Sequence, residues 1–325
     1  MAFTCRLTAL QPGCETRVES IAYVLATGVA EKNLKEPVLR FGLVANRLHR
    51  RRADGGLGRW ARECEQSIRD LGIKFHAVGG AYDALIRDLL LPESSLVRLP
   101  YGSQGGVMRL TSSIAGGLND GAELDGVIYL IDPVDPSSLY PEAQALKRQC
   151  VIHEKPYIAT VAGAIEWVGV ERVRAQAARP EAALAPVSGR TVALIAHDAF
   201  KGRMVEFAHK HFDLLSRFSA RVGTGTTGAR LNEMAWSRGW PSDKPWVRRY
   251  LSGPLGGDAQ IAELVLERRC HQVIFFEDPH VARQHEADIQ LLERAVCSAS
   301  YETTCLNSPA MAQRWAECHT GAHSA

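Results

Sequence analysis

The segment Gly223-Thr-Gly-Thr-Thr-Gly228 sets three hydroxyls among three glycines. Small residues bring backbone N–H groups close to an anion, and the hydroxyls donate to its oxygens, so the chemistry this loop suits is a phosphate cradle. It also fits G-x-G-x-x-G, the dinucleotide fingerprint. Two features weigh against that use. The preceding Ser216-Arg-Phe-Ser-Ala-Arg-Val222 reads as a poor buried strand, and the acid expected about 20 positions later has no convincing counterpart, Asp243 lying near Pro245 in a loop. A second loop, Leu251-Ser-Gly-Pro-Leu-Gly-Gly-Asp258, adds donors from Ser252 and the Gly253 amide and puts Asp258 at the opening of a helix-like stretch. Taken alone, that carboxylate reads as a helix N-cap, which aspartate serves well. His197-Asp198 with Lys201, then Asp278, then His285 three before Asp288 complete the set. Taken singly, these are ordinary strand-end pairs, surface pairs or solvated helix residues.

Continuous apolar runs must position them. Val192-Ala-Leu-Ile-Ala196 and Val273-Ile-Phe-Phe276 alternate with amphipathic stretches such as Lys201 to Phe218 and Ala259 to Arg268. That alternation predicts an α/β fold, a parallel sheet with helices on both faces. Ligands of such sheets collect at the carboxyl ends of the strands. His197, Thr224, Ser252 and Asp278 each lie just after a candidate strand, so they are expected to converge on one crevice.

The same order of events occurs earlier. Phe41-Gly-Leu-Val-Ala45 is followed by Asn46 to Arg50, then Gly105-Gly106, then Val127-Ile-Tyr-Leu-Ile-Asp132-Pro133; the later half has Val192 to Ala196, His197 to Lys201, Gly256-Gly257 and Val273 to Pro279. Arg148 follows Asp132 by 16 positions, as Arg294 follows Asp278. The coincidence favours a tandem duplication. An Ala- and Pro-rich stretch between the halves reads as a linker. The expected organisation is an extension over 1–37, a first repeat over 38–174, a linker over 175–189 and a second repeat over 190–325. In the first repeat Asn46 and Arg47 replace the His-Asp pair, Arg50 replaces Lys201, and Val78-Gly-Gly-Ala81 lacks threonines. Tyr101 replaces Ser252, Val107 replaces Asp258, and Leu139 stands where His285 would be. A non-catalytic copy is expected, although Arg47 and Arg50 keep two cations beside its crevice.

Together and in this order, the motifs resemble the methylglyoxal synthase family from about Thr191 to Arg314. The resemblance implies a flavodoxin-like or Rossmann-like three-layer domain that converts dihydroxyacetone phosphate to methylglyoxal and inorganic phosphate with no cofactor and no metal. It implies Asp258 as catalytic base, His285 as proton shuttle, and Asp288 and Asp278 as supporting carboxylates. Phosphate and substrate contacts would fall to His197, Asp198, Lys201, Thr224, Gly225, Thr226, Thr227, Ser252 and Gly253. Inorganic phosphate is then product and candidate effector, and a homo-oligomer smaller than the family's hexamer is expected. The alternative is a non-catalytic phosphate- or nucleotide-sensing module, a role this fold also plays in carbamoyl-phosphate synthetase. Such a module needs the cradle but has no use for Asp258 and His285. The stretch with Trp236, Trp240 and Trp246 looks longer than is usual in the family and reads as an interface, a lid or a loop packed on its own domain.

The whole chain bounds these readings. Its 325 residues suggest about two domains. With 46% apolar residues, 23% charged residues and a net charge of +2, it reads as a soluble globular protein, not a disordered one, without the basic footprint of general nucleic-acid binding. The longest apolar runs fall far short of the roughly 20 residues of a membrane helix. The first residues lack a basic stretch followed by an apolar one, so no secretory signal is expected. Eight cysteines without a CxxC pair argue against a zinc or redox motif and for reduced thiols in a cytoplasmic protein.

Overall fold

In the computed structural model, which describes residues 39–119, 121–175, 184–280 and 286–321, the apolar runs become two five-stranded parallel sheets. The expected extension over 1–37 lies outside the described residues. The first sheet comprises β1 (Arg40–Ala45), β2 (Lys74–Val78), β3 (Leu96–Leu99), β4 (Gly126–Leu130) and β5 (Tyr157–Ile158), in the order β3-β2-β1-β4-β5. The second comprises β6 (Thr191–Ala196), β7 (Ala220–Gly223), β8 (Arg248–Arg249), β9 (Gln272–Phe276) and β10 (Thr304–Leu306), in the order β10-β9-β6-β7-β8. Read from the opposite edge this is the same order. Of the two doubly wound patterns anticipated, it is the Rossmann-like one.

The central strands are apolar throughout because both faces are covered: Val192, Ala193 and Leu194 have no solvent exposure. β7 corrects the expectation of a poor strand before the glycine loop. It is short and carries Arg221, yet it pairs with β6 and β8 on its two sides. No acid follows β8, however, where Tyr250, Leu251 and Ser252 stand, so the dinucleotide fingerprint stays incomplete.

Register and loop bonds agree between the halves. Ala45 lies opposite Leu130 and Ala196 opposite Phe276. One residue on, the Asn46 amide donates to Leu130 O at 2.9 Å and the His197 amide to Phe276 O at 3.0 Å. The Asp132 amide donates to Asn46 Oδ1 at 3.0 Å, where the Asp278 amide donates to His197 Nδ1 at 2.8 Å. Gly106 N bonds Tyr101 O as Gly257 N bonds Ser252 O, each at 3.0 Å.

The helices in chain order are α1 (Arg47–Arg50), α2 (Gly56–Asp70), α3 (Gly79–Arg87), α4 (Gly106–Ile114), α5 (Pro141–Ile152), α6 (Val161–Ala175), α7 (Lys201–Lys210), α8 (Phe212–Ser216), α9 (Gly225–Ser237), α10 (Gly257–Leu266), α11 (Glu286–Ser298) and α12 (Pro309–Thr320). Amphipathic α2 buries Leu57, Trp60, Ala61, Cys64 and Ile68, one face at helical spacing. By contrast α6 buries Val161, Ala164, Trp167, Val168, Val170, Glu171 and Val173, more than one face, because it packs on α2 of its own half and on α12 and β10 of the other. One apolar cluster therefore holds Trp60, Phe75 and Trp167 together with Phe218, Phe276 and Trp315. The opposite face of each sheet keeps a cluster of its own, around Val127 and Leu146 in the first half and around Val273 and Leu292 in the second.

Polar contacts follow the same seam. Ser300 accepts the Ala162 amide at 2.8 Å through its carbonyl and the Val161 amide at 3.0 Å through its hydroxyl. Glu171, buried, meets Arg174 at 2.8 Å and Arg314 at 3.2 Å. Lys147 of α5 pairs with Glu277 at 2.7 Å and with Glu293. Val187, near the end of the Ala- and Pro-rich stretch, is fully buried in the shared cluster.

The tryptophan-rich stretch packs on its own half. Trp246 is buried and stacks on Phe212 at 5.0 Å, Trp240 meets the same ring edge-on, and Trp236 donates to Lys244 O at 3.2 Å. Cys64, Cys150, Cys270, Cys297 and Cys318 are buried free thiols; burial pushes the first four up to about 12, which leaves them protonated and inert. No described helix is long and apolar enough to cross a membrane.

One pH dependence follows from the seam. Burial beside Arg190 and Arg217 lowers His319 from 6.5 to about 4. The folded group resists a proton that the unfolded one accepts, so its contribution is intact above pH 6.5 and is lost as pH falls toward 4. Melting temperature should drop across that window, and His319→Phe should flatten the drop. An unchanged pH profile in that variant would remove His319 as its cause.

Candidate functional site

β6 delivers His197 to the carboxyl edge of the second sheet. The residue is 9% exposed, its ring meets Phe275 edge-on at 4.9 Å, and Nδ1 accepts the Asp278 amide. In the neutral ring the proton therefore sits on Nε2, which makes that atom a donor. A single helical turn, Asp198–Phe200, leads into α7. There Lys201 Nζ pairs with the exposed Asp198 carboxylate. Such a pair is weak in water, and an anionic ligand can compete for the ammonium.

Next to β6, β7 ends at Gly223 and Thr224 begins α9 without a side-chain cap bond. Of the first-turn amides, Gly225 N is taken by Leu251 O at 2.9 Å and Gly228 N by Thr224 O at 2.7 Å. The Thr226 and Thr227 amides are left, as helix geometry requires of a first turn. Thr226 is exposed. Thr227 has no exposure, and its hydroxyl has no partner among the described residues. An unmet buried hydroxyl costs about 1–3 kcal/mol. Thr227→Val removes that atom at nearly constant shape, so the variant should be at least as stable as the parent yet bind inorganic phosphate several-fold more weakly. Calorimetry on both proteins checks this, and unchanged binding would remove Thr227 from the cradle.

The second loop lies against the first. A Cβ on Gly225 would stand 3.0 Å from Ser252 N. After Ser252 comes one turn, Gly253–Leu255, and Gly256 at φ +96° reverses the chain into α10, a conformation that favours glycine. Gly257 must also lack a Cβ, which would fall 1.9 Å from Leu251 O. The N-cap of α10 is thus Gly256, so Asp258 is not the cap; it lies within the first turn, where the helix dipole favours a carboxylate. Asp258 is 4% exposed. A Cβ on Gly253 would stand 2.7 Å from its Oδ2, so the carboxylate sits directly against the Ser252–Gly253 turn.

From β9, Asp278 gives its amide to His197 and accepts the His280 amide at 3.0 Å through Oδ1. Thr224 to Thr227, Ser252, Gly253 and Asp258 form one continuous group, and His197 with Asp278 another, on the same edge of one sheet. His285 lies outside the described residues. Asp288 falls in the first turn of α11, and its side chain is likewise not described. Sequence reasoning missed two organising residues. Gln260 Oε1 accepts the Leu251 amide at 3.0 Å, and Arg249 Nε donates to Gly225 O at 3.1 Å, pinning one loop to the other. Glu–Asp–Pro after a strand gave no hint that Glu277 would meet Lys147 of the first half.

No family model matches the chain. Over 109 residues it is 46% identical to a methylglyoxal synthase of Thermus thermophilus, a stretch covering 34% of this chain and 79% of that protein. Over 107 residues it is 42% identical to a methylglyoxal synthase of Clostridium beijerinckii, covering 33% of this chain and 82% of the relative. Among solved structures, a methylglyoxal synthase from Elizabethkingia anophelis NUHP1 is 34% identical with a TM-score of 0.32, covering 39% of this chain and 76% of that one.

Proposed function

The chain belongs to the methylglyoxal synthase family, and from that premise we propose that its second sheet converts dihydroxyacetone phosphate to methylglyoxal and inorganic phosphate. The observation that carries the proposal is the buried Asp258 carboxylate set against Gly253, beside a cradle whose Thr227 hydroxyl is unmet. The substrate phosphate meets the Thr226 and Thr227 amides, the threonine hydroxyls, Ser252 and Lys201. Asp258 takes a proton from the carbon next to the carbonyl, and the electron pair moves into an enediolate. His197 Nε2 and, by the family resemblance, His285 supply donors for the developing oxyanion. The carbon–oxygen bond to phosphate then breaks, its electrons leaving with the phosphate while the enediolate electrons form the new double bond. The enol so formed takes a proton on carbon and becomes methylglyoxal.

Elimination needs the breaking bond held out of the enediolate plane, so the torsion imposed by the cradle separates this reaction from simple isomerisation. No step calls for a cofactor. We read the two halves as products of a tandem duplication, which the shared strand order and the matching loop bonds support. The test is to incubate purified protein with dihydroxyacetone phosphate and assay both products. Methylglyoxal and phosphate in equal amounts are expected; release of neither, or formation only of the isomeric aldehyde phosphate, would overturn the proposal.

A further inference from the structure

At the corresponding edge of the first sheet, beyond the carboxyl ends of β1, β2 and β4, lies a cavity of about 340 Å³. Val107, at the place Asp258 occupies in the second half, forms part of its wall with Val44 and Val78. The two ends differ in charge. On the β2 side is Arg50, whose Nε is anchored on Ala45 O at 3.0 Å and whose guanidinium lies against the first turn of α3: a Cβ on Gly80 would stand 2.8 Å from its Cζ. Among the described residues no carboxylate lies within ion-pair distance of it. On the β4 side are Asp135, Ser137 and Glu142. Asp135 accepts the Ser137 amide and hydroxyl at 2.9 and 2.7 Å, and Asn46 Nδ2 donates to the same hydroxyl at 3.0 Å.

We propose that this cavity is a second binding site, taking a phosphomonoester of a small polyol and holding it without turnover. A guanidinium in no direct ion pair, with Asp83 near enough to feel its charge, is suited beside first-turn amides to a phosphate. The two carboxylates at the far end repel a second anion; Asp135 is already engaged by Ser137, the Arg47 amide and Asn46, which leaves Glu142 to accept hydrogen bonds from hydroxyls. Apolar walls that include Val44, Val78, Val107 and Tyr129 suit the C–H face of a sugar better than water. Bare phosphate would leave most of the volume unfilled, and with Val107 in the first turn of α4 there is no acid at the place where the second half carries Asp258.

Hydrogen exchange on the full-length chain tests this with ribose 5-phosphate, ribose and inorganic phosphate as probes. Ribose 5-phosphate should slow exchange over residues 79–82, ribose should not, and phosphate should do so only at concentrations at least tenfold higher. Arg50→Met should raise the ribose 5-phosphate needed by tenfold or more while turnover of dihydroxyacetone phosphate persists. Should that variant not fold, Glu142→Ala, which leaves the phosphate end intact, should erase the preference for ribose 5-phosphate over phosphate. No protection at 79–82, equal potency of phosphate, or an unaltered response in both variants would each overturn the proposal. Residues 225–228 report the other site separately, so failure at one is not failure at the other.

Discussion

Asp258→Asn should leave a folded, phosphate-binding protein whose turnover of dihydroxyacetone phosphate is lower by about 10²–10⁴-fold, the typical worth of a positioned general base. The substitution keeps the shape packed against Gly253 and the place in the first turn of α10, so the backbone that forms the Ser252 turn has no reason to move. What changes is one proton acceptor. The groups proposed to face the phosphate, Thr226, Thr227, Ser252 and Lys201, are untouched, so phosphate affinity should stay within a few-fold. The loss should therefore appear in kcat and not in binding, the pattern of an interaction made only on the way to the transition state. Stopped assays of methylglyoxal together with phosphate titration calorimetry separate the two. A variant retaining more than about a tenth of the parental rate, against the 10²–10⁴-fold expected of a base, would show that another group removes the proton.

Trp315→Ala should cost about 3–5 kcal/mol, the usual range for deleting a large buried aromatic side chain. Trp315 has no exposure, its ring lies 4.5 Å from His319 and 6.3 Å from Phe218, and its Nε1–H donates to Glu166 Oε1 at 3.1 Å. The cavity opens in the cluster that both sheets share, and it strips a partner from Glu166 of the other half. The second expectation concerns cooperativity. Urea unfolding followed by probes in each half should stay a single transition, since neither sheet keeps a complete core without the other. Trp236→Ala, at a half-exposed ring on the surface of one half, should by comparison shift stability within about 0.5 kcal/mol. Two separated transitions in the parent protein, or a cost below about 1 kcal/mol for Trp315→Ala where 3–5 is usual, would contradict the shared core.

The long central strands were legible because burial on both faces writes itself as an unbroken apolar run: β1, β4, β6 and β9 each begin one residue before the run expected and otherwise overlie it. Edge strands carry no such mark. β8 is two exposed arginines, held by backbone pairing to β7, and nothing in their side chains announces it. β7 was underestimated for the same reason, since Arg221 interrupts its pattern while its guanidinium lies over Trp240 and Trp246. At the site, motif spacing indicated which loops carry Thr224 to Thr227, Ser252 and Asp258, because small residues and donors cluster there. Geometry removes the cap reading of Asp258: the turn is closed by Gly256, which leaves the acid inside the helix instead of capping it. Least legible was the seam. Length and composition suggest two bodies each with its own core, whereas α6 is apolar around more than one face and serves both.

Because Trp60 and Trp167 lie in one cluster with Phe276 and Trp315, substitutions in either half draw on a common reserve of stability. A mutation that weakens packing in the first half is felt by the half that carries Asp258. The first-half side chains of that cluster are therefore constrained by the packing of the second half, whatever the first half binds. Of its crevice residues, Arg50, Val107 and Asp135 lie outside that cluster, whereas Ala45 and Ala81 belong to it. Changes at those outside it leave the shared packing as it is, so a pocket of this kind can take a new specificity without the scaffold having to be rebuilt.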